Sequence, residues 1–176
     1  MEARNLAELY GAPLMDWEAI TTRLDAGVPQ APGDGGPDRH TSWLATIDPD
    51  GSPHLTAVGA LWVDGSWWFE TGEGTRKGRN IARDPRCTMT VSVHEFDLIV
   101  DGAAEKITDP ATVAAMAERW ADGGWPCRVD ESGVALTADY SAQSAGPPPW
   151  YVYRITPRRA TAVETVEPGR ATRWDF

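Results

Sequence analysis

The chain has 176 residues and a mass of 19.2 kDa, and 41% of its residues are hydrophobic, which predicts a single domain able to bury a core. Sixteen Lys and Arg stand against 26 Asp and Glu, a formal net charge of −10. That balance excludes a nucleic-acid partner, because such affinity rests on clustered cations that neutralise phosphates, and it equally excludes an electrostatic hold on a membrane surface.

The opening MEARNLAELYGAP lacks the apolar run of a signal peptide, and no stretch approaches the roughly 20 apolar residues of a membrane span. Two separated cysteines, Cys87 and Cys127, suit reduced thiols. The expected compartment is the cytoplasm. Asp16 is placed to cap a helix in which Trp17, Ile20 and Leu24 recur at helical spacing, ending at Gly27. Residues 28–39 are too rich in Gly and Pro for an element. Residues 1–40 therefore read as a helix and a flexible connection leading into a domain over 41–176.

Strands follow. Residues 41–47 alternate Trp43, Ala45 and Ile47 against Ser42, Leu44 and Thr46. The Asp48–Gly51 turn leads into a strand over 54–63, Asp64-Gly65 signals a hairpin, and 67–71 form the return strand. Residues 86–93 place Cys87, Met89, Val91 and Val93 on one face, and 95–107 continue the sheet with a bulge expected at Gly102. A short helix is predicted over 75–84 and a longer one over 109–123. In the second, Asp109 caps, Pro110 takes the first helical position, and Val113, Met116, Ala117 and Trp120 form one stripe. The stretch 121–149 is irregular, the kind of long loop that is functional or disordered. Strands over 150–156 and 159–166 close the pattern. Six or seven strands with two or three short helices, and no regular βαβ alternation, predict a mainly β fold, an antiparallel barrel.

The chemistry concentrates in Phe69-Glu70-Thr71-Gly72-Glu73-Gly74-Thr75-Arg76-Lys77-Gly78-Arg79-Asn80. A strand ends, two glycines free the backbone, and a helix begins with a hydroxyl and three cations. A helix N-terminus suits an anion, and cationic side chains add charge-assisted hydrogen bonds, so a phosphate site and a solvated basic helix face are both open readings. Three scattered histidines (His40, His54, His94) and two cysteines show no metal-ligand spacing, so no metal is expected. Neither GxSxG nor a strand-linked GxGxxG is present.

The run from Thr41 to Val93 resembles the pyridoxamine 5′-phosphate oxidase-like family, the flavin- and deazaflavin-binding split β-barrels. The resemblance lies in Gly51-Ser52-Pro53, Leu61-Trp62, the Asp-Gly hairpin, Phe69-Glu70-Thr71, and Thr75-Arg76-Lys77…Asn80-Ile81…Asp84-Pro85. Ser92-Val93-His94, Phe96-Asp97-Leu98, Gly124-Trp125-Pro126, Pro149-Trp150 and Thr172-Arg173-Trp174 are similar to an actinobacterial branch. The resemblance implies a Greek-key split β-barrel of the FMN-binding type, a homodimer with cofactor sites at its interface, and hydride transfer to a small organic substrate. It implies that Thr75, Arg76 and Lys77 bind the cofactor's phosphate, with Thr71 and Asn80 beside them, and that Thr56, Ala57, Val58 and Gly59 meet the ring. Coenzyme F-420, a deazaflavin, is the favoured cofactor and FMN the alternative; Arg79 and Arg83 suit the longer anionic tail of the former. The authentic vitamin B6 oxidase is disfavoured, because Arg170 and Arg173 lack the spacing expected around a substrate phosphate. His94 is the candidate proton donor, with a structural role as its rival. Trp125, Trp150 and Trp174 are candidates for a substrate-pocket wall, whereas Trp62, Trp67 and Trp68 read as core or interface packing. The rival from another class is a non-catalytic flavin or tetrapyrrole carrier on the same barrel.

Overall fold

The computed structural model describes residues 1–28, 41–141 and 145–176; the connection expected over 28–39 falls, apart from Val28, outside the described residues, as does His40. In chain order the elements are β1 (Glu2–Asn5), α1 (Trp17–Asp25), β2 (Ser42–Ile47), β3 (Pro53–Val58), β4 (Ala60–Val63), β5 (Ser66–Thr71), α2 (Arg76–Arg83), β6 (Arg86–Ser92), β7 (Phe96–Lys106), α3 (Pro110–Asp122), β8 (Arg128–Val129), β9 (Leu136–Thr137), β10 (Tyr151–Ile155), β11 (Arg159–Glu164) and β12 (Ala171–Asp175). Ten of these strands form one antiparallel sheet, the split β-barrel fold, and β8 with β9 forms a two-stranded hairpin inside the expected loop. The higher strand count has three sources: the predicted strand over 54–63 breaks at Gly59, the hairpin is added, and β1 and β12 pair with each other at the chain's two ends. Both end strands are short and half charged, too weak a period-2 signal to read from sequence.

Strand β7 organises the sheet. One of its edges pairs with β6, which continues through β2 to β3. Its other edge pairs with β11 over residues 96–101 and with β10 over 104–106. The sheet splits where β7 passes from one partner to the other, and Gly102 sits at that point. Gly102 stays in register opposite Cys87, so it is not a bulge. An added Cβ there would stand 2.7 Å from both Ile155 Cγ2 and the Thr156 carbonyl oxygen: the glycine is needed because the β10–β11 connection folds back onto it.

The barrel interior holds Leu44, Trp67, Phe69, Met89, Leu98, Val100 and Ile155, all fully buried, each contributing roughly 1.5–3 kcal/mol by removal from water. In β2 it is Ser42, Leu44 and Thr46 that face in, while Trp43 faces out at 43% exposure. Helix α1 seals one end with Ile20 and Leu24, capped by Asp16, whose carboxylate accepts the Glu18 N–H at 3.1 Å. A second core lies on the outer face of β5 and β10. There the α3 stripe (Val113, Met116, Ala117, Trp120) covers Trp68, Leu136, Trp150 and Val152. Trp62, Trp67 and Trp68 are all core residues. Among the described residues no helix is long and apolar enough to cross a membrane.

Candidate functional site

Strand β5 runs into α2 through Gly72-Glu73-Gly74, and Thr75 sets the geometry of that turn. Its hydroxyl oxygen accepts the Gly78 N–H at 3.0 Å, the cap of α2, and donates to the Gly72 carbonyl at 2.8 Å. The Thr71 hydroxyl lies 2.8 Å from it. Gly78 presses on the same carbonyl: an added Cβ would stand 2.4 Å from the Gly72 oxygen. A glycine is therefore built into the first turn of α2.

The far side of α2 is bolted to β2 through Asp48. Arg76 donates Nε to Asp48 Oδ1 at 2.9 Å and Nη2 to Oδ2. Asn80 Nδ2 donates to Asp48 Oδ1 at 2.9 Å and to the Thr46 hydroxyl at 3.1 Å. These bonds, Arg76 first and Asn80 second, hold the Asp48 carboxyl down to about 2. In sequence Asp48 reads only as the first residue of a turn, so its part at this site is not visible there.

The predicted phosphate-binding residues divide into two groups. Arg76 is exposed, and its pair with Asp48 does not exhaust the five donors of a guanidinium. Thr75 is half-buried. Thr71 (0% exposed) and Asn80 (3%) lie buried behind the turn, where Thr71 meets Thr75 and Asn80 holds Asp48. Lys77 is buried at 4%; burial lowers its pKa and the nearby Glu70 raises it. Segment 145–149 lies over this turn. A Cβ on Gly72 would meet the Ala145 and Pro147 carbonyl oxygens at 3.4 Å, and one on Gly146 would meet Thr75 Cγ2 at 3.4 Å.

Glu70 is the residue that sequence reasoning misses. Its Oε2 is buried without a hydrogen-bond partner among the described residues. Burial pushes its carboxyl up to about 8, with Lys77 opposing. The signal was available, an acid inside a predicted strand of Trp67-Trp68-Phe69, but sequence alone does not say which way it points.

Thr56 to Gly59 lie on edge strand β3 and its end, with Ala57 and Gly59 exposed and Thr56 and Val58 half-buried. One step beyond the Ala60–Phe69 pair, Gly59 stands level with Glu70, at the end of β5 that enters α2. A Cβ on Gly59 would meet nothing within 4 Å, so the backbone there is open to approach. On the other side of α2, a cleft of about 610 Å³ is lined by Glu73, Arg79, Arg83, Lys106 and Tyr153. Lys106 Nζ reaches Glu73 at 2.6 Å and lies 3.3 Å from the Tyr151 ring centre.

The other candidates do not join this cluster. His94 is exposed at the end of β6 remote from α2. Trp174 is 1% exposed within the barrel core, 5.1 Å ring to ring from Trp17, and so is no pocket wall. Trp150 is likewise buried, at 2%, with Nε1 donating to the Gly146 carbonyl at 3.0 Å. Trp125 is half-buried, tilted against Trp150 at 5.6 Å. Arg170 is occupied by Glu164 and Arg173 by Asp175. Among the described residues no three His, Cys, Asp or Glu side chains gather as a metal-ligand group.

Comparison with known proteins identifies the family and the fold. A family model described as pyridoxamine 5′-phosphate oxidase matches residues 36–164. A search of curated proteins returns no match. Similar solved structures include an F420 reductase, at 19% identity and TM-score 0.51, covering 77% of this chain and 94% of that one. A pyridoxamine 5′-phosphate oxidase-related, FMN binding protein from Nostoc punctiforme is 17% identical with TM-score 0.53, over 74% and 78% of the two chains. A protein of the pyridoxinephosphate oxidase family from Clostridium acetobutylicum, related to a general stress protein, is 12% identical with TM-score 0.59, over 92% and 97%. At these identities the structural likeness establishes the fold.

Proposed function

The chain belongs to the pyridoxamine 5′-phosphate oxidase family, and from that membership we propose that it is an oxidoreductase that binds a deazaflavin of the F-420 type and reacts with a small organic substrate. The observation that carries the reading is the Thr75-Arg76-Lys77 turn, held rigid by Thr71, Asp48 and Asn80 beside the open backbone at Gly59. The charges fit a phosphate: an exposed guanidinium and a buried ammonium at a helix N-terminus. Thr75, Arg76 and Lys77 would hold the phosphate, and Thr56 to Gly59 would frame the ring. When bound, the cofactor supplies the hydride chemistry, to or from an unsaturated or carbonyl-type compound. What the chain itself contributes is binding, orientation and exclusion of water, with segment 145–149 placed over the turn. No side chain beside the turn is assigned as proton donor, since His94 stands away from it.

The deazaflavin is preferred to FMN because of the cleft with Arg79, Arg83 and Lys106, which suits an anionic tail that FMN lacks. A homodimer is part of the proposal. The outer face of β2, β3, β6 and β7 exposes Leu55 (58%), Trp43 (43%) and Ile99 (41%), adjoined through the Trp43–Ala57, Ala45–Leu55 and Thr90–Ile99 pairs. A contiguous apolar face of this kind suits a second copy of the chain, next to the strand that frames the ring. The rival is a carrier that binds the same cofactor and turns nothing over.

The test is titration of the protein with F-420 and with FMN, read by tryptophan quenching, on the wild type and on the Arg76→Ala/Lys77→Ala double variant. Tight F-420 binding that is lost in the folded double variant supports the reading. Unchanged affinity in that variant removes the phosphate assignment, and binding without turnover over a panel of enones and quinones favours the carrier.

A further inference from the structure

Asp48 does more at the anion turn than support it, because it sets how much of Arg76 a ligand can use. Its carboxylate is 4% exposed and grips the guanidinium side-on, Nε on Oδ1 at 2.9 Å and Nη2 on Oδ2. Asn80 Nδ2 donates to the same Oδ1 at 2.9 Å, and the Asp48 N–H donates to the Ser52 carbonyl at 2.9 Å. The carboxylate is thus fixed by its neighbours and cannot swing away when a ligand arrives. Arg76 spends Nε and one Nη2 hydrogen on it, so three of its five N–H groups remain, all along the Nη1–Nη2 edge.

The same pairing settles the charge. Arg76 and Lys77 are two cations and Asp48 is one carboxylate, so the three together carry a net +1. Other charges near the turn change this little. Glu73 is paired with Lys106 at 2.6 Å, and burial pushes the Glu70 carboxyl up to about 8. Asp50 and Arg79 are exposed, bonded to Ser52 and to the Gly74 carbonyl, where water and salt screen them. A phosphomonoester brings about −1.5 to −2 near pH 7 and three terminal oxygens. A phosphodiester brings a single charge and two terminal oxygens. We infer that Asp48 is the specificity-determining residue of this turn: by cancelling the Arg76 charge and closing one edge of its guanidinium, it fits the turn to a singly charged phosphodiester over a doubly charged phosphomonoester. The inference rests on the phosphate-site reading above, and it is independent of the cleft used there to prefer the deazaflavin.

The probes are FMN and riboflavin 5′-(methyl phosphate), which share one ring, lack a tail and differ in the charge of the phosphate. In the wild type at pH 7.5, read by tryptophan quenching, the methyl ester is expected to bind more tightly than FMN. Tighter FMN binding that is lost in Arg76→Ala/Lys77→Ala overturns the inference and leaves the phosphate site standing. The second measurement repeats both titrations on the isosteric Asp48→Asn, with near-UV circular dichroism to show that it is folded. A loosened Arg76 weakens both probes alike and cancels in the ratio of their affinities, whereas the missing carboxylate charge does not cancel. The ratio is expected to move toward FMN by roughly three- to tenfold, because the second ligand charge no longer meets the carboxylate. An unchanged ratio in the folded variant overturns the inference, and the wild-type comparison decides it where the variant does not fold. Wild-type protein that binds F-420 and neither flavin overturns it too, because the ring and not the phosphate then discriminates. Wild-type protein that binds none of the three overturns the phosphate reading as well.

Discussion

Replacing Gly78 by alanine sets a local preference against a tertiary contact. In a helix interior alanine is favoured over glycine by about 0.8–1.0 kcal/mol. Against this, the new Cβ would stand 2.4 Å from the Gly72 carbonyl oxygen, with Glu73 Cα and Thr75 Oγ1 both at 3.1 Å. The nearest atom is backbone and cannot rotate away, so α2 must shift. Forced overpacking of this kind costs about 1–3 kcal/mol, and loosening the Thr75 cap about 1 kcal/mol more. The net expectation is a loss of about 1–3 kcal/mol, which lowers Tm by roughly 2–4 °C per kcal/mol in a chain of this size. Gly74→Ala is the control: nothing lies within 4 Å of its Cβ and its φ is not positive, so it should be neutral or gain about 0.4–1 kcal/mol by restricting the unfolded chain. Urea and thermal unfolding of the two variants decide the matter, with F-420 affinity read alongside. A Gly78→Ala protein as stable as the wild type, with unchanged affinity, would refute the seating of α2 on Gly72.

The thiols of Cys87 and Cys127, raised by burial to about 12 and about 11, should resist iodoacetamide at pH 8 in the native protein and both react after unfolding; rapid native labelling of either would contradict their placement. Asp48 has a folded pKa of about 2 against an ordinary 3.8. Its contribution is present above pH 3.8 and is lost as pH falls through 2, so Asp48→Asn should flatten that part of the acid-unfolding curve, measured by urea midpoints from pH 2 to 5. Trp174→Ala should cost about 3–5 kcal/mol as a core deletion, and Trp125→Ala, at a half-buried rim, clearly less; equal losses by denaturant unfolding would place the two in equivalent environments.

Local signals determined much of this protein. Asp16 and Asp109 cap the helices they were expected to cap, because a cap is settled within three residues of chain; Thr75, read as the first residue of its helix, is its cap instead. Asp64-Gly65 makes the hairpin with both residues at positive φ, 49° and 72°, and Cys87, Met89, Val91 and Val93 face the core by simple alternation. The basic turn at Thr75–Lys77 is legible for the same reason, and so is the mainly β class. What only tertiary structure decided is which side of each pattern is inside and which polar groups meet. Trp43 faces out while Ser42 and Thr46 are buried. Gly102 marks a close approach of the β10–β11 connection and not a bulge. Trp174 fills the core, Thr71 and Asn80 support the turn from behind, and Lys77 is buried. The bonds responsible join residues far apart in sequence, Arg76 to Asp48 across 28 positions and Asn80 to Asp48 across 32. Burial is a property of packed neighbours, and a chain read a few residues at a time carries no record of which distant segment will cover it.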